Sequence, residues 1–158
     1  MTKSSTRDRQ TAMKSHAQNR PVRHAARPTA RTLTVCVVDA NGGDYDGWRE
    51  QAARGGMRLE IFSTAEDALR SARKRPVDLW VVNANLPGLS GFELCSMLKT
   101  QCSTTPVYLV TDEYSADQER RAWAARATLF ACKPGHRELI GQWLDAQAHL
   151  QDAAHSEL

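Results

Sequence analysis

The sequence predicts one α/β domain, residues 33–150, built on a doubly wound parallel sheet with strand order 2-1-3-4-5. Short β-branched apolar runs alternate five times with amphipathic stretches, which is the pattern of βα units joined by right-handed crossovers. The third run, VDLWVV, is apolar nearly throughout, as expected of a central strand covered on both faces. Because 41% of the 158 residues are hydrophobic and 25% are charged, the chain has the composition of a globular domain.

The first two βα units are marked by turn residues and helix caps. LTVCVVDA (33–40) is a β-branched run ended by the turn residues NGGD. Aromatic and alanine residues then recur at i, i+3 and i+7 before Gly55-Gly56, which predicts a short helix. MRLEIF (57–62) alternates like a half-buried strand, and Ser63 or Thr64 can cap the helix that follows.

The last three units follow the same rhythm. VDLWVV (77–82) leads into a helix that carries several large apolar residues. Ser115 can cap the fourth helix, and the fifth has leucine, isoleucine and tryptophan on one side. The remaining strands are predicted at 105–110 and 128–132, and the helices at about 91–100, 115–125 and 136–150.

The two ends of the chain differ from this domain. Residues 1–32 hold eight Lys/Arg and one acidic residue, a net charge of +7, whereas the remainder holds 13 basic and 17 acidic residues, a net of −4. With almost no large apolar residues, 1–32 is predicted to be a disordered basic arm, and 151–158 a C-terminal tail. The arm could bind nucleic acid or another acidic partner, although it has no aromatic residue to stack on bases.

The cysteines and the hydropathy of the sequence indicate the cellular location of the protein. None of the four cysteines forms a CxxC pair or lies near a histidine cluster, which favours unpaired thiols in a reducing cytoplasm. No apolar stretch approaches the roughly 20 residues of a membrane span, and the N-terminus lacks the apolar core of a secretory signal. We therefore expect a cytoplasmic protein without a membrane span. The cysteines are Cys36, Cys95, Cys102 and Cys132.

Polar residues follow four of the predicted strands. Asp39-Ala40 comes after the first, Asn83 after the third, Thr111 after the fourth and Lys133 after the fifth. In open α/β sheets, ligands bind outside the carboxyl ends of the strands, near the switch in strand order. With the order 2-1-3-4-5, these side chains converge on one pocket.

Four segments carry a resemblance to a known family: VVDA (37–40), DLWVVNANLPGLSGFEL (78–94), TPVYLVT (105–111) and LFACKP (129–134). Over residues 33–150 the chain resembles the CheY-like receiver domain of bacterial response regulators, which has a flavodoxin-like (βα)5 fold. The resemblance implies a phosphorelay role. In that family, acids after strand one hold Mg²⁺, and an aspartate after strand three accepts a phosphoryl group from a kinase phosphohistidine.

The family pattern is incomplete in this chain. By position, the residues correspond to the first acid (Asp39), the second acid (Ala40), the phosphoacceptor (Asn83), the phosphate-binding pair (Thr111, Lys133) and the switch aromatic (Phe130). An amide is a poor nucleophile where a carboxylate oxygen must attack phosphorus. With two of three acids absent, we expect Mg²⁺ binding to be weak or absent, and no metal site or other cofactor.

The sequence therefore predicts an atypical, stand-alone pseudo-receiver that is not an enzyme. Asn83 could accept a hydrogen bond from Lys133 or donate one to Asp39, and Lys133 could pair with Asp39. The protein would act by binding a protein partner, either a histidine kinase or another signalling protein. The candidate interaction surface is Tyr114, Arg120, Arg121, Trp123 and Arg126.

Two alternatives stay open. A receiver of this kind could be switched by modification at another residue, such as Ser90, Thr111, Ser4 or Ser5. Alternatively, the basic arm could bind nucleic acid, without sequence specificity and with a steep dependence on salt. The sequence does not fix the oligomeric state.

Overall fold

The computed structural model describes residues 31–156. The predicted basic arm therefore lies outside the described residues, apart from its last two positions. Within this range, no helix is both long enough and apolar enough to cross a membrane.

Five parallel strands form one sheet in the order β2-β1-β3-β4-β5, which confirms the predicted fold class. All five residues of β3 are buried, because helices cover both faces of this central strand. In the register, Val37 lies opposite Val81, and Val82 lies opposite Leu109, so the carboxyl ends of β1, β3 and β4 share one edge. The strands are β1 (Leu33–Val38), β2 (Met57–Phe62), β3 (Leu79–Asn83), β4 (Val107–Thr111) and β5 (Leu129–Cys132).

The helices follow the predicted order but differ at some ends. The region predicted as the first helix begins with a 3-10 turn at Gly42–Tyr45, and the α-helix starts only at Asp46. Thr64 caps α2, and Ser115 caps α4. The helices are α1 (Asp46–Ala53), α2 (Ala65–Ala72), α3 (Gly91–Gln101), α4 (Ala116–Ala124) and α5 (His136–Ser156).

The last helix is longer than predicted and includes most of the segment predicted as a C-terminal tail, 151–158. It continues to Ser156, so residues 151–156 are helical rather than irregular. These residues, QDAAHS, contain neither glycine nor proline, and alanine and glutamine favour a helix, so nothing in the segment ends it.

Alternate residues of β3 pack into two separate hydrophobic cores, one on each face of the sheet. Trp80 and Val82 pack among apolar residues of α2, α3 and α4. Leu79 and Val81 point to the opposite face, where they join the aromatic cluster contributed by α1 and α5. The two cores hold the sheet from both sides, and the edge formed by the strand carboxyl ends is left for the polar residues.

Candidate functional site

The predicted pocket residues lie together at the carboxyl edge of the sheet. Asp39 directly follows β1, and its amide donates to the carbonyl of Phe62 at 2.9 Å, which continues the β1–β2 pairing. Asn83 and Thr111 are the last residues of β3 and β4. The Lys133 amide donates to the Thr111 carbonyl at 2.8 Å, so the fifth strand end is tied to the fourth.

Asp39 is the centre of the site. It is 2% exposed, and its Oδ2 accepts hydrogen bonds from Lys133 Nζ at 2.5 Å, Tyr45 OH at 3.0 Å and Asn83 Nδ2 at 3.1 Å. Its Oδ1 accepts from the Asn41 amide at 2.9 Å. A buried carboxylate is costly unless charged and polar partners surround it, and here both oxygens have donors.

The Lys133 ammonium joins two carboxylates. It contacts Asp44 Oδ2 at 2.8 Å as well as Asp39, and Asp112 Oδ1 lies 3.7 Å away. Burial disfavours the ammonium charge, but the hydrogen bonds and charges of the surrounding carboxylates outweigh it, so the pKa of Lys133 lies above its usual value. The hydrogen bond from Lys133 lowers the pKa of Asp44. The ammonium is therefore charged and held by carboxylates, which are also the groups that a metal would require.

Asn83 is engaged through both ends of its amide. Its Nδ2 donates to Asp39, and its Oδ1 accepts from the Asn85 amide at 2.9 Å. The residue is 4% exposed. Of the two expected bonding patterns, the structure contains the one in which Asn83 donates to Asp39 and Lys133 pairs with the same carboxylate. Ala40, the next residue after Asp39, is exposed and contributes no polar side-chain atom.

Thr111 belongs to a second network beside the charges. Its hydroxyl lies 2.9 Å from Gln118 Oε1 and 3.0 Å from the Glu113 carbonyl, and its single proton can be donated to only one of them at a time. Asn85 Nδ2 donates to Thr111 Oγ1 at 3.4 Å, and Gln118 Nε2 donates to Asn85 Oδ1 at 3.2 Å. Thr111 is thus linked to Asn83 through Asn85.

The loop after β3 folds tightly beneath Asn83. Gly88 has a φ of +78°, a conformation that side-chain-bearing residues rarely adopt. Ser90 and Glu93 form a reciprocal capping box at the start of α3. A Cβ on Gly91 would lie 2.0 Å from the Asn83 carbonyl oxygen, so only glycine lets α3 approach this strand end.

An aromatic wall closes the site on the α1–α5 side. Tyr45 packs edge-on against Trp48 and His136, with ring centroids 5.0 and 5.1 Å away. Burial, reinforced by the charge of Asp39 and the bond to it, raises the pKa of Tyr45, so its hydroxyl keeps its proton. His136 Nε2 lies 3.3 Å from the Asp44 carbonyl oxygen, to which it donates, and burial lowers the pKa of His136.

The predicted interaction residues are all exposed, and two of them also contact aromatic rings of other elements. Tyr114 is 61% exposed and its ring packs near that of Phe130, 6.4 Å away between centroids. Arg121 instead stacks over the ring of Phe92 in α3, at 4.2 Å. The other three are Arg120, Trp123 and Arg126.

Two further observations concern Trp123 and Phe130. Trp123 is 50% exposed on α4, so it does not pack fully on the sheet. Phe130, at the predicted switch position, is half-buried on the edge strand β5 and packs against the core cluster of α2, α3 and α4. A Phe side chain has no hydroxyl, so any movement would alter packing alone.

The arrangement of side chains offers few free oxygen ligands to Mg²⁺. Hard divalent cations require several free oxygen ligands, preferably carboxylates. Both oxygens of Asp39 already accept hydrogen bonds, Asp44 Oδ2 accepts one from Lys133, and Ala40 supplies none. Across residues 31–156, no group of three or more His, Cys, Asp or Glu side chains is placed to hold a metal ion.

Residues 35–145 match the family model described as the response regulator receiver domain. The chain belongs to this family. Among solved structures, the receiver domain is similar to the chemotaxis protein CheY4 of Vibrio cholerae, with a TM-score of 0.65 at 24% identity. The match covers 73% of this chain and 98% of CheY4, and it shows a shared fold.

Two curated relatives match shorter segments. The transcriptional regulatory protein CreB of Escherichia coli is 32% identical over 78 residues, which cover 49% of this chain and 34% of CreB. The sensor histidine kinase AruS of Pseudomonas aeruginosa is 34% identical over 76 residues, covering 46% of this chain and 8% of AruS. This receiver domain therefore spans about a third of CreB and less than a tenth of AruS.

Several site residues of this receiver domain were not predicted. Asp44 and Tyr45 lie in the 3-10 turn, and His136 begins α5; none has a periodic sequence pattern that marks a pocket. Asn85 and Gln118 lie in a loop and in a helical first turn. For Asn85, the one available indication was its place two residues after a strand end.

Proposed function

We propose that this receiver domain signals by binding another protein and is not phosphorylated at residue 83. The observation that carries the proposal is the convergence of three donors on Asp39 Oδ2, one of which is the Asn83 amide. Residue 83 acts there as a hydrogen-bond donor within a buried network. A pseudo-receiver of this kind keeps the fold and the docking surface but not the phosphoryl transfer.

The chemistry of phosphoryl transfer supports this reading. The acceptor must supply a nucleophilic oxygen, and the amide oxygen of Asn83 is weakly nucleophilic and already accepts from the Asn85 amide. Positive charge must also stabilise the transferring group. The Lys133 ammonium, which would supply it, lies against the carboxylates of Asp39 and Asp44.

The proposal includes weak or absent Mg²⁺ binding and no enzymatic activity. Both rest on the same side chains, because a metal would have to displace Lys133 from Asp39 and Asp44 and would gain no ligand from Ala40. We also propose a cytoplasmic location, which agrees with the free thiols of all four cysteines.

The proposed partner is a histidine kinase or another signalling protein. Trp123 and Tyr114 are the large exposed aromatic side chains on or beside α4, and aromatic residues are common anchors of protein interfaces. Arg120 is also exposed, and its neighbouring charge, Asp117, pairs with it at 3.2 Å. We expect Trp123→Ala to weaken partner binding. Because the Trp123 side chain is half-exposed, the substitution mainly removes contact area with the partner rather than with the core.

Acetyl phosphate tests the proposal without a known kinase. The protein is incubated with acetyl phosphate and Mg²⁺, and intact mass and peptide mapping then locate any phosphoryl group. We expect no adduct on residue 83. An acid-stable, hydroxylamine-labile adduct at that position would overturn the proposal, and an Ala40→Asp/Asn83→Asp double variant serves as the reactive control.

The alternative sites of modification have less support in the structure. The Ser90 hydroxyl donates to Glu93 Oε2 at 2.8 Å and caps α3, and Thr111 is fully buried. Ser4, Ser5 and the basic arm lie outside the described residues. Modification there and nucleic-acid binding by the arm remain predictions.

A further inference from the structure

Three polar side chains from separate parts of the chain form a closed hydrogen-bonded ring. Asn85 Nδ2 donates to Thr111 Oγ1 at 3.4 Å, the Thr111 hydroxyl donates to Gln118 Oε1 at 2.9 Å, and Gln118 Nε2 donates to Asn85 Oδ1 at 3.2 Å. Each side chain donates once and accepts once within the ring. The ring joins the loop after β3, the end of β4 and the first turn of α4.

The ring is connected to the buried Lys133–Asp39 pair through the backbone amide of Asn85 and the side chain of Asn83. The Asn85 amide donates to Asn83 Oδ1 at 2.9 Å, and Asn83 Nδ2 donates to Asp39 at 3.1 Å. A continuous path of hydrogen bonds therefore runs from the Lys133–Asp39 pair to Gln118 on α4. Hydrogen bonds arranged in such chains polarise and reinforce one another in a low-dielectric environment.

α4 has few other attachments that would fix its first turn. Its one buried residue is Ala122, and Ala125 follows at the C-terminal cap, so its apolar contacts are small and lie towards its end. Ser115 caps the first turn by accepting from the Gln118 amide at 3.0 Å. The Gln118 side chain is then the polar link from this turn to the sheet.

We propose that Asn85, Thr111 and Gln118 form a latch that holds the first turn of α4 against the buried charge cluster. The latch deepens the proposed function, on which it rests, because it fixes the helix that carries the exposed Trp123. The Thr111 hydroxyl also has an alternative acceptor, the Glu113 carbonyl at 3.0 Å. Turning the hydroxyl to Glu113 breaks the bond to Gln118 and leaves the Gln118–Asn85 bond as the remaining ring bond to α4.

Amide hydrogen exchange of the full chain, analysed by mass spectrometry, tests the latch. Gln118→Leu removes both ring bonds of Gln118, so we expect exchange in Ala116–Ala124 to quicken by roughly ten-fold, while exchange in α3 stays unchanged. Thr111→Val should act in the same direction, and Thr111→Ser, which keeps the hydroxyl, should restore slow exchange. Gln142→Leu makes the same change at an exposed position of α5 and is the matched control.

One single variant separates a cooperative ring from independent bonds. Asn85→Ala opens the ring but leaves the Thr111–Gln118 bond in place, so a cooperative ring predicts exchange in α4 nearly as fast as in Gln118→Leu. Exchange in α4 of Asn85→Ala as slow as in wild type would overturn the closed ring. Unchanged exchange in α4 for both Gln118→Leu and Thr111→Val, or equal acceleration in every helix, would overturn the latch itself.

The exchange experiment is independent of phosphorylation. It uses neither acetyl phosphate nor a partner, so a phosphoryl group found on residue 83 would refute the proposed function and leave the exchange result standing. Conversely, unchanged exchange in α4 would refute the latch while the acetyl phosphate result still supported the proposed function. The two proposals can therefore fail separately.

Discussion

Replacing Asn83 with aspartate tests the buried network directly. In the wild-type protein, Asn83 Nδ2 donates to Asp39 Oδ2 across 3.1 Å, and both residues are at most 4% exposed. Asn83→Asp substitutes a carboxylate oxygen for this donor, so two negative oxygens face each other without a proton between them. The substitution changes few atoms, and its effect is therefore mainly electrostatic.

The cost can be worked from that distance. Two unit charges about 3 Å apart repel by about 5 kcal/mol at an effective dielectric constant of about 20. Losing a hydrogen bond to a charged group costs about 1.5–3 kcal/mol more. Attraction to Lys133 offsets part of this repulsion. The new carboxyl group can also escape the repulsion by binding a proton. At pH 7.5, protonating a carboxyl group of ordinary pKa costs about 5 kcal/mol, which is the upper limit of the loss. We expect a net loss of about 2–4 kcal/mol in the free energy of unfolding at pH 7.5.

The loss should also depend on pH in a defined direction. The new carboxyl beside Asp39 has a raised pKa in the folded state, so the folded protein binds the proton more tightly than the unfolded chain does. Stability relative to wild type is then lowest at high pH and recovers as pH falls, by up to about 1.4 kcal/mol per pH unit.

Urea unfolding in metal-free buffer at pH 7.5 and 5.0 measures both effects. Gln142→Glu adds the same charge at an exposed position and should leave stability nearly unchanged. Two results would contradict a stabilising hydrogen bond from Asn83 to Asp39. One is that Asn83→Asp is as stable as wild type at pH 7.5, and the other is that its free energy of unfolding does not recover at pH 5.0.

Two further variants test the packing and the aromatic wall around the site. Gly91→Ala should destabilise the domain by about 2–4 kcal/mol in thermal unfolding, because its Cβ would lie 2.0 Å from the Asn83 carbonyl oxygen. The control Gly141→Ala lies in open space within α5 and should instead stabilise the domain by up to about 1 kcal/mol. Equal effects of the two substitutions would contradict the close approach of α3 to Asn83. His136 has a lowered pKa because it is buried, so the protein should lose stability as pH falls below about 6.5 and the unfolded chain alone gains a proton. His136→Gln should remove that part of the decline in unfolding titrations, whereas His149→Gln, at an exposed position, should retain it.

The parts of the fold that follow a periodic pattern were predictable from sequence. The alternation of apolar runs and amphipathic stretches fixed five strands and five helices, and the strand ends placed Asp39, Asn83 and Lys133 at one edge of the sheet. The end of α5 was not predictable in the same way. The segment after residue 150 has no residue that stops a helix, but the apolar side that predicts the helix ends at Leu150.

The remaining site residues depend on geometry that no sequence period encodes. Tyr45 has the spacing of a helix-face aromatic, yet its hydroxyl reaches Asp39 because a 3-10 turn precedes α1. Asp44 pairs with Lys133 across 89 positions in sequence. Gln118 meets Asn85 only because α4 starts directly beside the loop after β3. Such contacts are set by loop conformation, which follows from the packed fold as a whole.

Under the proposed function, a new carboxylate at residue 83 alone would not be enough for phosphoryl transfer. Both oxygens of Asp39 already accept hydrogen bonds, which come from Lys133, Tyr45, Asn83 and a backbone amide. A single Asn83→Asp change removes one of these donors and adds repulsion, but it supplies no cation to balance the added charge. A second carboxylate at position 40 would add a ligand for a divalent cation beside Asp39, and that cation would offset the added charge. Asn83→Asp alone is therefore expected to lower stability without making the site reactive, because it removes a donor from a buried carboxylate whose hydrogen bonds are satisfied.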